Sequence, residues 1–374
     1  MSAETFFRDL FAKAGITING DRPWDLQVND PRAYERMLRD GRIGFGEAFV
    51  EGWIDCNQVD ELTERVERAE PAKAIDTKLA VLESLRLRLT PVGSRSRSFE
   101  IGERHYDIGN DLYEAMLDRR MVYSCAYWQR AQQLDKAQED KLEIICRKLQ
   151  LAPGLRLLDL GCGWGGLARF AAEHYGVKVV GISVSKQQIE LARARCAGLP
   201  VEFRYIDYRD LTETFDRIVS VEMFEHVGRR YYGAFFDVCA RCLKPSGIFL
   251  LHTTGQLDEK PINPWYDKYI LPGVEFATLD NIMHSVPRDL VLEHFETWEG
   301  AHYAKTLMSW FERFDVAWHR LKQTYDDPFY RMWKLYVQGS AGAFRAERLR
   351  ILQLVFSKGG TPGGYTYGRH YFVS

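Results

Sequence analysis

Leu155-Arg-Leu-Leu-Asp-Leu160 is a short, largely apolar run that ends in glycine. Gly161-Cys-Gly163-Trp-Gly165-Gly166 then opens a helical stretch, and a second apolar run follows at Val177-Lys-Val-Val-Gly-Ile182. Two apolar runs too short for buried helices, joined through a helix of ten or so residues, make a βαβ unit with parallel strands. The alternation continues through strands at Val201–Tyr205, Arg217–Val221 and Gly247–His252. Two more strands are expected at Leu290–Trp298 and Ile351–Ser357, flanking long helical stretches at 303–322 and 328–346. Such alternation makes an α/β chain with a mainly parallel sheet between helices. The stretch 255–290, rich in Pro, Tyr and Trp, interrupts it, and inserts after the carboxyl ends of strands commonly shape a ligand site.

The amino-terminal part reads differently. Phe6, Phe7, Leu10 and Phe11 recur at helical spacing, and turn residues break residues 1–90 into short helices. Pro91-Val-Gly-Ser-Arg-Ser-Arg-Ser98 has the composition of a linker. The expected organisation is a small helical domain over 1–90, a linker over 91–98 and a catalytic domain over 99–374. Between Lys78 and Arg97 only Glu83 opposes Lys78, Arg86, Arg88, Arg95 and Arg97. That strip could meet anionic lipid headgroups, but short charge runs are common, and on composition alone a solvated helix face leading into a linker is the favoured reading.

With 50 Lys and Arg against 52 Asp and Glu, the formal charge of −2 lacks the basic excess of a protein that works on nucleic acid. The seven cysteines are scattered and odd in number, which argues for a reducing compartment rather than a disulfide scaffold. Cys239-Ala-Arg-Cys242 falls inside a helical run without a second ligand pair, so no metal is expected there. The opening residues lack the layout of an export signal, and the cytoplasm is the expected compartment.

A glycine turn between a strand and a helix lets a nucleotide approach the backbone without a Cβ clash. The rest of the pattern narrows the nucleotide. A dinucleotide site commonly carries an acid at the tip of the second strand, where this chain has Ser183. Asp159, just before the glycine turn, would repel phosphates and suits an ammonium group, while Asp207 after the third strand can accept from an adenine amine. Together these favour S-adenosylmethionine, whose sulfonium also suits aromatic neighbours.

His105-Tyr-Asp-Ile-Gly-Asn-Asp-Leu-Tyr113, Tyr123-Ser-Cys-Ala-Tyr-Trp128, the Gly161 turn, Met223-Phe-Glu-His-Val-Gly228, Phe249-Leu-Leu-His252 and the segment from Tyr303 to Trp310 carry a wider likeness. In these six motifs the chain resembles the bacterial cyclopropane-fatty-acyl-phospholipid synthases and, more distantly, the mycolic acid cyclopropane synthases. The resemblance implies a Rossmann-like, seven-stranded S-adenosylmethionine methyltransferase fold with a small helical amino-terminal domain. It implies an enzyme that builds cyclopropane rings on cis double bonds of phospholipid acyl chains, bound peripherally to the inner face of the cell membrane as a homodimer. It also implies a bound bicarbonate as general base, held by Cys125, Glu225, His252 and Tyr303 with the backbone at Thr254. The cofactor contacts implied are Tyr123, Ser124, Gly161, Gly163, Ser183, Gln188, Asp207 and Tyr208.

Each of these residues taken singly is equally an ordinary one. A buried Cys is usually a small hydrophobe, Tyr303 a core phenol, His252 a strand end, Glu225 with His226 a helix-start pair, and Ser183 a helix cap whose place Ser185 fills as well. Two departures stand out. Ser340 replaces a cysteine common in the family, which alkene methylation does not need as a nucleophile. Ala277-Thr278 replaces a Pro-Ser pair, which bears on acyl-chain or headgroup preference. A methyl-branched or methylene product, or a non-catalytic lipid-binding relative, remains an alternative on these residues alone.

Overall fold

The computed structural model describes residues 2–69 and 109–367. The expected helix at 79–90, the basic strip at 78–97, the linker at 91–98, the start of the His105 motif and the end of the glycine and aromatic tail lie outside the described residues. The described chain forms two compact units, one of residues 2–69, 259–272 and 299–350, the other of residues 109–258, 273–298 and 351–367.

The first unit is helical. In the helix Ala3–Lys13 the apolar spacing buries Phe7, Leu10 and Phe11, and Ser2 caps the start by accepting from the Thr5 amide. The helix Arg32–Val50 is kinked at Gly41, whose φ of 57° no regular helix contains. A two-residue ribbon, β1 (Gln27–Val28) against β2 (Ile54–Asp55), ties this region together. The helices Val59–Ala69, Gly300–Leu321 and Asp327–Arg345 complete the unit with the short helix Pro264–Tyr269 from the insert. Small residues set the approach between helices. A Cβ on Gly342 would lie 2.3 Å from the Asp60 carbonyl oxygen, and one on Gly46 would lie 2.2 Å from the Trp265 ring.

The second unit is a seven-stranded sheet: β3 (Arg156–Leu160), β4 (Lys178–Ser183), β5 (Val201–Tyr205), β6 (Phe215–Val221), β7 (Leu243–Gln256), β8 (Leu290–Trp298) and β9 (Leu349–Lys358). Their order is β5-β4-β3-β6-β7-β9-β8, with β5, β4, β3, β6 and β7 parallel to one another and β8 antiparallel to β9. All seven expected strands form. The twofold period of the strands sends alternate residues to two cores. Leu158, Leu160, Phe249 and Leu251 pack with Phe235 and Phe236 of the helix Tyr232–Cys242. Leu157, Val179, Val219 and Leu250 pack on the opposite face with the helices Leu134–Lys148 and Gly166–Tyr175. Cys239 and Cys242 are buried members of the first core.

From β3 the chain winds outward to β4 and β5, then crosses back to β6 and β7. The carboxyl ends of β3 and β6 are therefore the switch point, where crossover helices diverge and open α/β sheets leave a crevice.

Candidate active site

The residues at that switch point follow from backbone geometry. Gly161, Gly163 and Gly165 all hold positive φ, at 86°, 52° and 82°. This strains any residue with a Cβ and turns the chain from β3 into the helix Gly166–Tyr175. A Cβ on Gly161 would lie 2.8 Å from Met223, whereas one on Gly163 would meet nothing within 4 Å. The turn is held by the Gly161 and Cys162 amides, which both donate to the Ile182 carbonyl of β4, at 3.1 and 3.0 Å.

Beside the turn opens a cavity. Tyr123, Ser124, Gly161, Gly163, Ser183, Gln188, Asp207 and Tyr208 all line it, so the structure gathers the eight expected cofactor contacts in one place. Asp159, Lys141, Trp164, Glu222 and His226 share the wall. Asp159 and Asp207 are buried, and the Oδ2 atom of each has no hydrogen-bond partner among the described residues. Buried acceptors without partners cost free energy unless a ligand supplies donors. Burial pushes the Asp159 carboxyl up to about 7, opposed by the charge of Lys141, and pushes the Tyr208 phenol up to about 12. Lys141 is itself fully buried, its ammonium pushed down to about 8, and it donates to Ser124 Oγ at 2.6 Å. Ser183 donates to Gln188 Oε1 at 2.8 Å, and Ser185 rather than Ser183 caps the following helix.

A second cluster stands where β6 and β7 end. Glu222 takes the left-handed backbone conformation, φ 49°, a strained one for a residue with a Cβ. Its amide donates to the His252 carbonyl at 2.7 Å, and its Oε1 accepts from the Cys125 amide at 2.8 Å. The same Oε1 lies 3.3 Å from His252 Nε2. Glu225, three residues on, is buried; its Oε1 accepts from the Thr254 amide, while its Oε2 has no partner among the described residues. Burial raises the Glu225 carboxyl well above the usual range, and the neighbouring Glu222 carboxylate adds to the effect. The insert braces this loop, since the Glu275 amide donates to the Glu225 carbonyl at 3.0 Å. Cys125, Glu225 and His252 thus share one corner of the sheet unit. Tyr303 belongs to the helical unit, on the helix Gly300–Leu321, where its ring packs 4.4 Å from Phe344 and 6.1 Å from Trp310. Ser340 lies in the same unit, hydrogen-bonded to Tyr266.

The profile of the mycolic acid cyclopropane synthetase family matches residues 93–354. A cyclopropane-fatty-acyl-phospholipid synthase of Escherichia coli K12 is 44% identical over 355 residues, which cover 94% of this chain and 92% of that protein. The chain belongs to the cyclopropane synthase family. It is an S-adenosylmethionine-dependent methyltransferase of lipids. A probable fatty acid methyltransferase of Pseudomonas putida is 38% identical, covering 89% of this chain and 86% of its own length. Among solved structures, the cyclopropane synthase MmaA2 of Mycobacterium tuberculosis has a TM-score of 0.67 at 29% identity, over 72% of this chain and 99% of its own. The mycolic acid cyclopropane synthase CmaA1, complexed with SAH and CTAB, has a TM-score of 0.66 at 29% identity, over 70% and 98%.

The cavity fits what a cyclopropane synthase must hold. The open side of Gly163 leaves room beside the backbone, and the unpartnered carboxylate oxygens of Asp159 and Asp207 suit the ammonium and amine of a cationic nucleoside. Sequence reasoning passed over Glu222 and Lys141, both of which line the cavity. Glu222 carries a signal in the Glu222-Met-Phe-Glu225 spacing, two acids in the loop after a strand. Lys141 looks like an exposed helix position until its burial is known.

Proposed function

We propose that the enzyme transfers the methyl of S-adenosylmethionine to the cis double bond of unsaturated acyl chains in membrane phospholipids and closes a cyclopropane ring. The observation that carries this reading is Glu225, a buried carboxyl with one oxygen hydrogen-bonded to the β7 backbone and the other unpartnered, next to the cavity that suits the donor.

In this reading Asp159 meets the ammonium end of the donor, Asp207 the adenine amine, and Ser183 with Gln188 the ribose hydroxyls, as neutral polar groups where a dinucleotide site would place an acid. The alkene is the nucleophile. Its π pair forms a bond to the methyl carbon as the carbon–sulfur bond breaks, leaving S-adenosylhomocysteine and a carbocation on the chain. Loss of a proton from the new methyl returns the electron pair that closes the ring. Bicarbonate, when bound, supplies a small base for that proton. Glu225, Cys125, His252 and the Thr254 backbone would hold it, and the family resemblance adds Tyr303. The unpartnered Glu225 Oε2 fits an anion that itself carries a hydroxyl. This chemistry needs a cleft that keeps water from trapping the cation as an alcohol. A phospholipid substrate makes the enzyme peripheral to the bilayer; among the described residues no helix is long and apolar enough to cross one.

The test is release of S-adenosylhomocysteine on vesicles of unsaturated phospholipid, with saturated vesicles as control and proton spectra of the recovered lipid. Ring methylene protons, upfield of ordinary chain signals, are the expected product. Methyl-branched or methylene signals would replace ring closure by another termination, and no release on unsaturated vesicles would reject the reading.

A further inference from the structure

His252 is fully buried in the carboxyl-terminal half of β7, and what faces its far nitrogen is not part of the site described above. Gln353, in the middle of β9 and equally buried, places its Nε2 2.8 Å from His252 Nδ1. The other end of the same amide, Oε1, accepts from Lys148 Nζ at the carboxyl end of the helix Leu134–Lys148. Lys148 in turn is buried and ion-paired with Glu296 of β8. The carboxylate of Glu296 also accepts from Trp298 Nε1 at 2.8 Å and lies 3.3 Å from His294 Nε2. A side chain with four rotatable bonds is thereby drawn into the sheet and pinned.

The chemistry of these groups permits one arrangement. A lysine ammonium has only donors, so the Gln353 atom that faces it must be the oxygen. The amide nitrogen then faces His252 and is also only a donor, so Nδ1 must accept with a lone pair. A neutral imidazole with a lone pair on Nδ1 carries its proton on Nε2, the nitrogen 3.3 Å from Glu222 Oε1. The opposite tautomer would set a donor against the Gln353 amide and a lone pair against the Glu222 carboxylate. Burial also lowers the basicity of His252, which keeps the ring neutral.

We propose that Gln353 and Lys148 are positioning residues that hold His252 as the neutral Nε2–H tautomer, so that the Nε2 proton, which has no hydrogen-bond partner among the described residues, is presented as a donor to the anion corner beside Glu222. Lys148 acts through Gln353, and Glu296 balances its charge. Neither Lys148 nor Gln353 belongs to the groups assigned to donor or base. The role in turnover rests on the proposed reaction; the tautomer does not.

The test uses full-length protein with 15N-labelled histidine, the His252 signals being identified by their loss in His252→Asn. Long-range proton–nitrogen spectra of the wild type should show a pyridine-like Nδ1 and a pyrrole-like Nε2. A protonated Nδ1 in the wild type would overturn the proposal without any variant being needed. Gln353→Glu keeps the shape but offers an acceptor to both neighbours, and it should move Nδ1 into the protonated range. Turnover on unsaturated phospholipid vesicles should then fall about tenfold or more, with KM for S-adenosylmethionine unchanged. An unmoved Nδ1 signal, or a moved signal with wild-type turnover, would overturn it. Should the wild type itself be inert on such vesicles, the functional reading falls while the nitrogen signals still decide the tautomer.

Discussion

Glu222 and Glu225 stand three residues apart in the loop after β6, and their carboxylates have opposite surroundings. Glu222 Oε1 takes the Cys125 amide at 2.8 Å and faces His252 Nε2 at 3.3 Å, whereas Glu225 Oε1 accepts from the Thr254 amide and its Oε2 has no partner among the described residues. A pair of acids whose environments differ in this way divides its labour. Glu222 is held in place, its Oε1 accepting from the Cys125 amide and facing the His252 ring. Glu225 is suited to exchange a proton with something that enters the site.

Glu225→Gln tests that division. The amide keeps the contact with the Thr254 backbone but removes the group that titrates, so turnover on unsaturated phospholipid vesicles should fall by about a hundredfold or more. Affinity for S-adenosylmethionine, measured by titration, should stay within about twofold, because Glu225 is not among the residues that line the donor cavity. A parallel loss of donor affinity would place Glu225 wrongly.

Gly161→Ala tests the turn. The new Cβ would meet Met223 at 2.8 Å and sit on a backbone with φ of 86°. The conformational strain alone costs roughly 1–2 kcal/mol. Thermal unfolding should shift downward, and donor affinity should fall further than stability does, since Gly161 lines the cavity. Gly163→Ala carries similar strain but meets no neighbour within 4 Å, so it should be the milder change for stability.

Much of this was legible in the sequence, and the reasons are physical. The strands β3, β4 and β7 bury most of their residues on both faces, which writes them as largely apolar runs, whereas β5 at the sheet edge alternates as Val-Glu-Phe-Arg-Tyr. That the eight expected contact residues line one cavity was legible through the family resemblance, and for the glycine turn and Asp207 also through what a nucleotide needs at neighbouring strand ends. The order of the last strands, β9 between β7 and β8, was not legible, because nothing local says which edge a late strand joins. Lys148 shows the same limit at the scale of one residue. It sits in the last turn of a helix, where lysine is ordinary, and only the position of β9 and β8 buries it beside Gln353 and Glu296. The strained backbone of Glu222 was equally silent, since its φ follows from pairing with His252.

Gly342→Val tests the helical unit on its own terms. In the helix Asp327–Arg345 a Cβ at this position would lie 2.3 Å from the Asp60 carbonyl oxygen and 2.7 Å from Thr63 Cβ. Backbone cannot step aside as a flexible side chain can, so the two helices must separate, and overpacking of this kind costs about 1–3 kcal/mol or more. The Arg345 contacts with Asp60 and Glu64 across the same pair of helices, at 2.7 and 3.3 Å, would be strained with it. Denaturant unfolding should show a lower midpoint, and an unchanged midpoint would mean that the helices do not pack this closely in solution.

Asp159 makes the sharpest claim about pH. Burial raises its carboxyl from 3.8 to about 7. Between these values the unfolded chain has released the proton and the folded chain keeps it, so wild-type stability should fall as pH rises through this window, by up to about 4 kcal/mol. Asp159→Asn should lack that slope. Donor binding should run the other way. A cationic donor favours the carboxylate, so affinity for S-adenosylmethionine should rise several-fold from pH 6 to pH 8 in the wild type, with a proton released on binding. In Asp159→Asn the rise should shrink to whatever the donor's own amine contributes. Fluorescence of Trp164, which lines the cavity, offers a titration signal, and calorimetry in buffers of different ionisation enthalpy counts the proton. Identical pH profiles for the two proteins would remove Asp159 from contact with the positive end of the donor.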